Sequence, residues 1–233
     1  MIRINEDLCT GCGACVSDCI SGVLSITQGK AHVCDECLQC GHCIAICPQA
    51  APSISVYSDE LIEYHSETFD IPTQNMLNTI KFRRSVRQFK EQLLSYDDLH
   101  LLIDAAAHTP TAKNAQACRF VFIQDSLEDF KRTIWSNLRS AFEEQRELPI
   151  PRESVQNFLN LREGEHPQDY LFRNAPAVLC IQAPDPVDAG LAASAIEMVG
   201  TTLGIGVLYN GYLRRTIAAI EDIQAYLDMD LEE

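Results

Sequence analysis

Positive charge is scarce in this sequence. Lys and Arg number 18 against 33 Asp and Glu, a formal net charge of −15. The shortage is sharpest at the front, where residues 1–74 hold two basic side chains, Arg3 and Lys30, against ten acidic ones. Nucleic-acid binding needs clustered Lys and Arg to displace counterions from phosphate, so no nucleic-acid partner is expected. Long apolar runs are missing too. None reaches the ~20 residues that a membrane-spanning helix requires, so no membrane partner is expected either. The opening residues Met1-Ile2-Arg3-Ile4-Asn5-Glu6-Asp7 lack the apolar core of a secretory signal, and a cytoplasmic protein is the expectation. With 233 residues, 46% of them hydrophobic, the chain has material for two unequal cores.

Cysteine is present in excess and unevenly. Nine of the 11 lie between Cys9 and Cys47, while Cys118 and Cys180 stand alone. Without a secretory signal, such density favours metal or redox chemistry over disulfides. The first group reads Cys9-x2-Cys12-x2-Cys15-x3-Cys19 and the second Cys37-x2-Cys40-x2-Cys43-x3-Cys47-Pro48, the bacterial iron–sulfur spacing. Three thiols at two-residue gaps wrap a tight loop around one cluster, and Gly11, Gly13 and Gly41 let that loop take its backbone angles. In a two-cluster arrangement the fourth cysteine ligates the opposite cluster. One [4Fe–4S] cluster then takes Cys9, Cys12, Cys15 and Cys47; the other takes Cys37, Cys40, Cys43 and Cys19. Paired zinc knuckles are the alternative, but zinc sites usually set two short CxxC units across a longer gap. The eight-cysteine repeat ending in Cys-Pro weighs against them.

Cys34 is a ninth thiol. A register of Cys34, Cys37 and Cys40 leaves no cysteine at x3, so Cys34 is read as a spare, and His42 is given no role. Residues 23–33 read as two short strands around a Gln28-Gly29 turn. Residues 1–56 resemble the bacterial two-cluster [4Fe–4S] ferredoxins. Ile20 stands where such ferredoxins usually carry proline, a change that affects local stiffness or potential and no ligand.

Residues 57–75 read as a polar, acidic connector, with Leu61, Ile62 and Tyr64 as its candidates for packing. Beyond it Met76, Leu77 and Ile80 begin an amphipathic stretch that runs into the basic group Arg83-Arg84-Ser85-Val86-Arg87. Ser95 with Asp98 three residues on predicts a helix N-cap, and Leu99, Leu102, Ile103 and Ala106 share one face. RFVFI (119–123) and AVLCI (177–181) read as strands. Residues 126–147 read as a charged helix and 149–175 as a loose polar stretch. Asp188 is expected to cap a helix through Leu203 whose small residues at 192–195 suit close packing at a subunit interface. Gly204–Tyr209 is expected to turn that helix into a strand, with a further helix over 214–230.

Two guanidiniums flanking a hydroxyl, Arg83-x-Ser85-x-Arg87, make a monophosphate clamp of bidentate, charge-assisted bonds. Taken alone, that group reads first as a solvated charged turn, and Pro110–Gln116 reads first as an ordinary loop. The order RRSVRQF, then TPTAKNAQ before RFVFI, then a helix leading into LGIGVLYNGYL, resembles the FMN-dependent nitroreductase family over residues 76–215. That resemblance implies that Arg83, Ser85 and Arg87 hold the FMN phosphate. It also implies that Asn114 contacts the flavin with Gln116 close by, and that Asn210-Gly211 presents a backbone amide near the reactive flavin nitrogen. It implies a homodimer with the flavin between subunits. Cys118 stands where a Pro-Trp pair is common, and Arg214 and Arg215 are the late basic residues.

The expected fold class is α+β. Residues 1–56 form a two-cluster ferredoxin domain, 57–75 a connector, and 76–233 a nitroreductase-like α-β-α sandwich lacking the usual last strand. The expected function is an FMN-dependent oxidoreductase reducing nitroaromatic, quinone or enone acceptors, with electrons delivered through two [4Fe–4S] clusters from a protein donor such as ferredoxin. No dinucleotide-type glycine loop marks NAD(P)H as the direct donor. No His–carboxylate pair stands out as a catalytic acid, because the cofactors carry the chemistry. The alternative is a non-catalytic electron carrier or redox sensor.

Overall fold

The computed structural model describes residues 1–57 and 62–227. The chain divides into two compact units, one of Met1–Asp70 with Pro110–Gln116 and one of Ile71–Thr109 with Ala117–Glu233. Leu61 lies outside the described residues. Among the described residues no helix is long and apolar enough to cross a membrane.

The first unit opens with β1 (Ile2–Ile4), α1 (Ala14–Asp18), β2 (Leu24–Thr27) and β3 (Lys30–Val33). It continues with α2 (His42–Ala45), β4 (Pro52–Ile54) and α3 (Ser66–Phe69). Strand β1 pairs antiparallel with β4, Ile2 opposite Ile54. The hairpin β2–β3 sets Leu24 opposite Val33 around the expected turn, with Gln28 at φ 51° and Gly29 at φ 76°. Two consecutive positive φ values are the turn that matches the twist of a two-residue hairpin. The two cysteine groups repeat one local design, a glycine N-cap (Gly13, Gly41) followed by a short helix carrying the third cysteine of the group. Ile2, Val23, Leu24, Ala31, Ala51 and Ile54 bury a small core together with Cys9, Cys15 and Cys43.

The second unit holds α4 (Thr73–Phe82), α5 (Tyr96–Ala107), β5 (Arg119–Ile123), α6 (Leu127–Glu143) and α7 (Arg152–Glu163). It continues with β6 (Val178–Gln182), α8 (Pro186–Thr202), α9 (Gly211–Ala218) and α10 (Glu221–Tyr226). Strands β5 and β6 run antiparallel, Arg119 opposite Gln182 and Ile123 opposite Val178. The period-2 alternation of a strand sends successive side chains to opposite faces, and here it builds three layers. Phe120, Phe122, Leu179 and Ile181 face Leu102 and Ala106 of α5 and Ala192 and Ile196 of α8. Val121, Ile123, Val178 and Cys180 face the other core, made by α6, α7, α9 and α10. This is the α-β-α sandwich that the sequence implied. The expectation that the usual last strand is lacking concerns the end of the chain, which beyond Leu227 lies outside the described residues.

Ser95 caps α5 as expected, accepting from the Asp98 amide at 3.1 Å. Four local expectations need correction. The stretch 149–175 is not loose, because Val155, Phe158 and Leu159 bury at helical spacing on α7. Asp185, not Asp188, caps α8: its carboxylate accepts from the Val187 amide at 2.8 Å, and Pro186 suits the first helical position because no donor is needed there. Asp188 lies in the first turn instead, buried. Residues 205–210 form no strand; Gly204 takes φ 74° at the end of α8, and Val207 accepts from the Val86 amide at 3.0 Å. The helix expected over 214–230 is two helices, α9 and α10, separated at Ala219-Ile220.

Candidate functional site

The first cysteine loop is shaped by the hairpin above it. Gly11 has φ +68°, and a Cβ there would collide with the carbonyl of Gly29 at the hairpin tip, so both conformation and space demand glycine. Lys30 fastens the same junction, donating from Nζ to the carbonyls of Glu6 at 2.7 Å and Cys9 at 2.6 Å. Beneath it lies a small cavity of about 20 Å³, whose lining includes Cys9, Cys12, Cys15 and Cys47. These are the four thiols that the spacing assigned to one cluster, and Cys47 arrives there from the second group.

The electrostatics of the thiols follow from this crowding. Backbone amides of Ala31 (3.4 Å) and Gly11 lower the Cys9 thiol below its usual range. Burial raises Cys15, and the neighbouring Cys47 adds to it. Burial pushes Cys43 up to about 11, helped by repulsion from Cys37, Cys40 and Cys15. Thiols so placed resist ionising together unless a cation offsets the charge, which is how a metal site couples ligand deprotonation to binding. Among the described residues no three His, Cys, Asp or Glu side chains converge closely enough for a single ion. A ring of thiols around a cavity suits a cluster, where each thiolate meets its own iron. Further amides point at sulfur, from Gln39 to Cys37 at 3.2 Å and from Ala51 to Cys47 at 3.4 Å.

Cys34 is exposed and sits 2.8 Å from the Ser25 hydroxyl at the open end of the hairpin. Cys34→Ser is therefore expected to leave the iron content of the anaerobically purified chain unchanged, measured per chain by iron and sulfide assay; loss of a cluster would refute the register.

In the second unit Arg83 ends α4 and forms an ion pair with Glu197 of α8. The hydroxyl of Tyr209 donates to the same Glu197 carboxylate at 3.2 Å. Withdrawal from water pushes the Tyr209 phenol up to about 12, and the Glu197 charge adds to the shift, so the phenol is a donor at neutral pH. The Nε of Arg83 is buried without a hydrogen-bond partner. An orphaned guanidinium N–H is the kind of donor that an added oxyanion satisfies. Arg87 donates to the Ser85 carbonyl at 3.2 Å, and both side chains lie on an exposed, extended stretch. That stretch is held by the Val86–Val207 bond, and a Cβ on Gly206 would come within 2.7 Å of Val86. These features fit a phosphate group.

Asn210 caps α9, accepting from Leu213 at 3.0 Å and donating to the Leu171 carbonyl at 2.6 Å, so its side chain is used structurally. Gly211 is the first residue of that helix. Asn114 and Gln116 lie in the first unit. The Asn114 amide donates to the carbonyls of Leu38 and Gln39, both at 3.1 Å, and its oxygen accepts from Gln116 at 3.2 Å. Glu197 and Tyr209 went unnoticed in the sequence, although Glu197 is a lone acid inside the apolar run AASAIEMVG.

Residues 80–232 match the model of the Nitroreductase family. The chain belongs to the nitroreductase family. Residues 1–24 of this nitroreductase-family chain match a 4Fe-4S binding domain. It is 22% identical over 151 residues to an FMN reductase (NADPH) of Bacillus subtilis, a match spanning 64% of this chain and 59% of that protein. The chain thus spans about three fifths of the length of that curated relative. A 44-residue stretch is 43% identical to one component of an ion-translocating oxidoreductase complex of Methanosarcina acetivorans, covering 18% of this chain and 17% of that one. Among solved structures, an FMN-bound nitroreductase of Desulfitobacterium hafniense aligns with TM-score 0.52 and 23% identity over 66% of this chain and 81% of that one. An FMN-bound nitroreductase of Bacteroides fragilis gives TM-score 0.51 and 21% identity over 65% of this chain and 77% of that one. At such identity the likeness concerns the fold.

Proposed function

We propose that this chain is an FMN-dependent oxidoreductase that reduces nitroaromatic, quinone or enone acceptors with electrons taken from a protein donor through two [4Fe–4S] clusters. One observation carries it. The cavity ringed by Cys9, Cys12, Cys15 and Cys47 draws its fourth thiol from the other cysteine group. Cys37, Cys40 and Cys43 then lack a fourth partner from their own group, and Cys19 is the remaining cysteine at the matching spacing. Interleaved ligation of this kind belongs to two clusters. When bound, the clusters carry single electrons and FMN accepts one or two, which joins a one-electron donor to a two-electron acceptor.

The chain's own residues orient and bind. Arg83, Ser85 and Arg87 hold the FMN phosphate; the orphaned Nε of Arg83 supports this. Asn114, with both amide hydrogens engaged, meets the flavin only as an acceptor, with Gln116 beside it. Asn210-Gly211 contributes backbone at the start of α9, since the Asn210 side chain is already used. A homodimer is supported by α4, which leaves Met76, Leu77, Ile80 and Phe82 exposed. Exposed thiols that must stay reduced favour the cytoplasm.

The alternative, a non-catalytic carrier or redox sensor, is favoured by one observation: Glu197 already neutralises Arg83. An anaerobic spectrum with iron, sulfide and flavin quantified per chain after gel filtration tests the proposal. About eight irons and one flavin, with nitroaromatic reduction by a chemical reductant, are expected. Retained iron with no flavin would favour the carrier.

A further inference from the structure

We propose that Asn114 is a positioning residue for the iron–sulfur cluster that Cys37 ligates, holding the peptide group whose N–H bonds the Cys37 sulfur and thereby raising that cluster's reduction potential. The inference deepens the two-cluster reading above and rests on it.

The argument turns on one peptide plane, the group joining Leu38 to Gln39. Its N–H belongs to Gln39 and points at Cys37 Sγ, 3.2 Å away. Its carbonyl belongs to Leu38 and accepts from Asn114 Nδ2 at 3.1 Å. The same Nδ2 also reaches the Gln39 carbonyl at 3.1 Å, and the Tyr57 hydroxyl donates to that carbonyl at 2.6 Å. Gln116 Nε2 donates to Asn114 Oδ1 at 3.2 Å. A continuous run of hydrogen bonds therefore leads from Gln116 through Asn114 and one peptide group to a cluster sulfur. Hydrogen bonds in series polarise one another, so a donor at the carbonyl strengthens the N–H at the other end.

The backbone is distorted on both sides of the contact. Gln39 has φ 56° and Asn114 has φ 53°. Left-handed backbone is unfavourable for residues other than glycine, somewhat less so for asparagine. At Gln39 this conformation aims the N–H back toward Cys37 instead of along the chain. The Oε1 of Gln39 is buried without a hydrogen-bond partner, so this oxygen adds no restraint to the loop. The restraint comes from Asn114 and Tyr57, both distant in sequence.

Hydrogen bonds to ligand sulfur stabilise the reduced, more negative cluster and raise its potential. Without Asn114 the Leu38 carbonyl loses its donor and the N–H···S bond weakens. The cluster held by Cys37 should then become harder to reduce, while the one held by Cys9 keeps its amide from Ala31.

The test is an EPR-monitored redox titration of the full-length, iron-loaded chain carrying Asn114→Ala, with Tyr57→Phe as comparison. Tyr57 ties the same loop through the Gln39 carbonyl, which lies on the next peptide plane. Asn114→Ala is expected to move one of two reduction steps to more negative potential and to leave the other in place. Tyr57→Phe is expected to move it less. Pulsed EPR after exchange into D2O should show weaker coupling of an exchangeable amide deuteron to that cluster in Asn114→Ala. If Asn114→Ala sheds iron, Asn114→Asp keeps the shape, replaces the donor by an acceptor, and should give the same negative shift. Eight irons per chain with neither step moved, or equal shifts from Asn114→Ala and Tyr57→Phe, would overturn the inference alone. Four irons in the unsubstituted chain would overturn the two-cluster reading and this inference with it.

Discussion

Replacing Cys47 with serine is expected to remove about four of eight irons, and the cluster lost should be the one built on Cys9, Cys12 and Cys15. Cys47 lines the cavity with those three, although its sequence neighbours belong to the other group. The functional consequence should be large. Turnover of a nitroaromatic acceptor driven by reduced ferredoxin should fall to background if electrons pass through both clusters. Turnover driven by a small chemical reductant should persist, because that reductant meets the flavin directly. Iron assay, EPR of the remaining cluster and the two turnover assays decide the matter. Loss of the Cys37 cluster would show that each group serves its own cluster. Unimpaired ferredoxin-driven turnover would show that this cluster is off the route.

Arg83→Ala and Arg87→Ala should weaken FMN far more than riboflavin, since only FMN carries the phosphate. A charge-assisted hydrogen bond contributes roughly 1.5–3 kcal/mol, so each substitution should cost about tenfold or more in FMN affinity. The Arg83 effect should be the greater. Its removal also leaves the Glu197 carboxylate without its cation, beside the phosphate site proposed for Arg83. Fluorescence titration with the two flavins measures the ratio. Equal losses for FMN and riboflavin would make these arginines scaffold and not clamp.

The parts legible in the sequence are those whose cause is local. Cysteine spacing, the Gln28-Gly29 turn and the Ser95–Asp98 cap each depend on residues within one short segment. The strand at 119–123 was visible with its bounds, and the one at 178–182 was placed one residue early at 177–181; both are apolar on both faces, each face meeting its own helical layer. Helix α7 was missed because its exposed residues outnumber Val155, Phe158 and Leu159, whose spacing was the available signal. Gly204–Tyr209 misled because Val207 and Leu208 have strand character, while the two glycines and a bond to Val86 set the backbone. The Glu197–Arg83 pair and the Asn114–Leu38 contact join residues 114 and 76 positions apart, and no periodicity carries such information.

The discontinuity of the first unit sets an order of events during synthesis. All eight predicted ligand cysteines have been made once residue 47 is added, and β1 can pair with β4 shortly after. Asn114 follows later, at ~5–20 residues per second roughly 3–13 seconds behind Cys47. During that interval the nascent chain carries its thiols with the Leu38–Gln39 peptide still unpinned. Iron and sulfide delivered then would meet an open loop, and residues 110–116 would close over an assembled site. A ribosome stalled after Cys47 has emerged from the exit tunnel and before Asn114 has would therefore present the loop in its most receptive form.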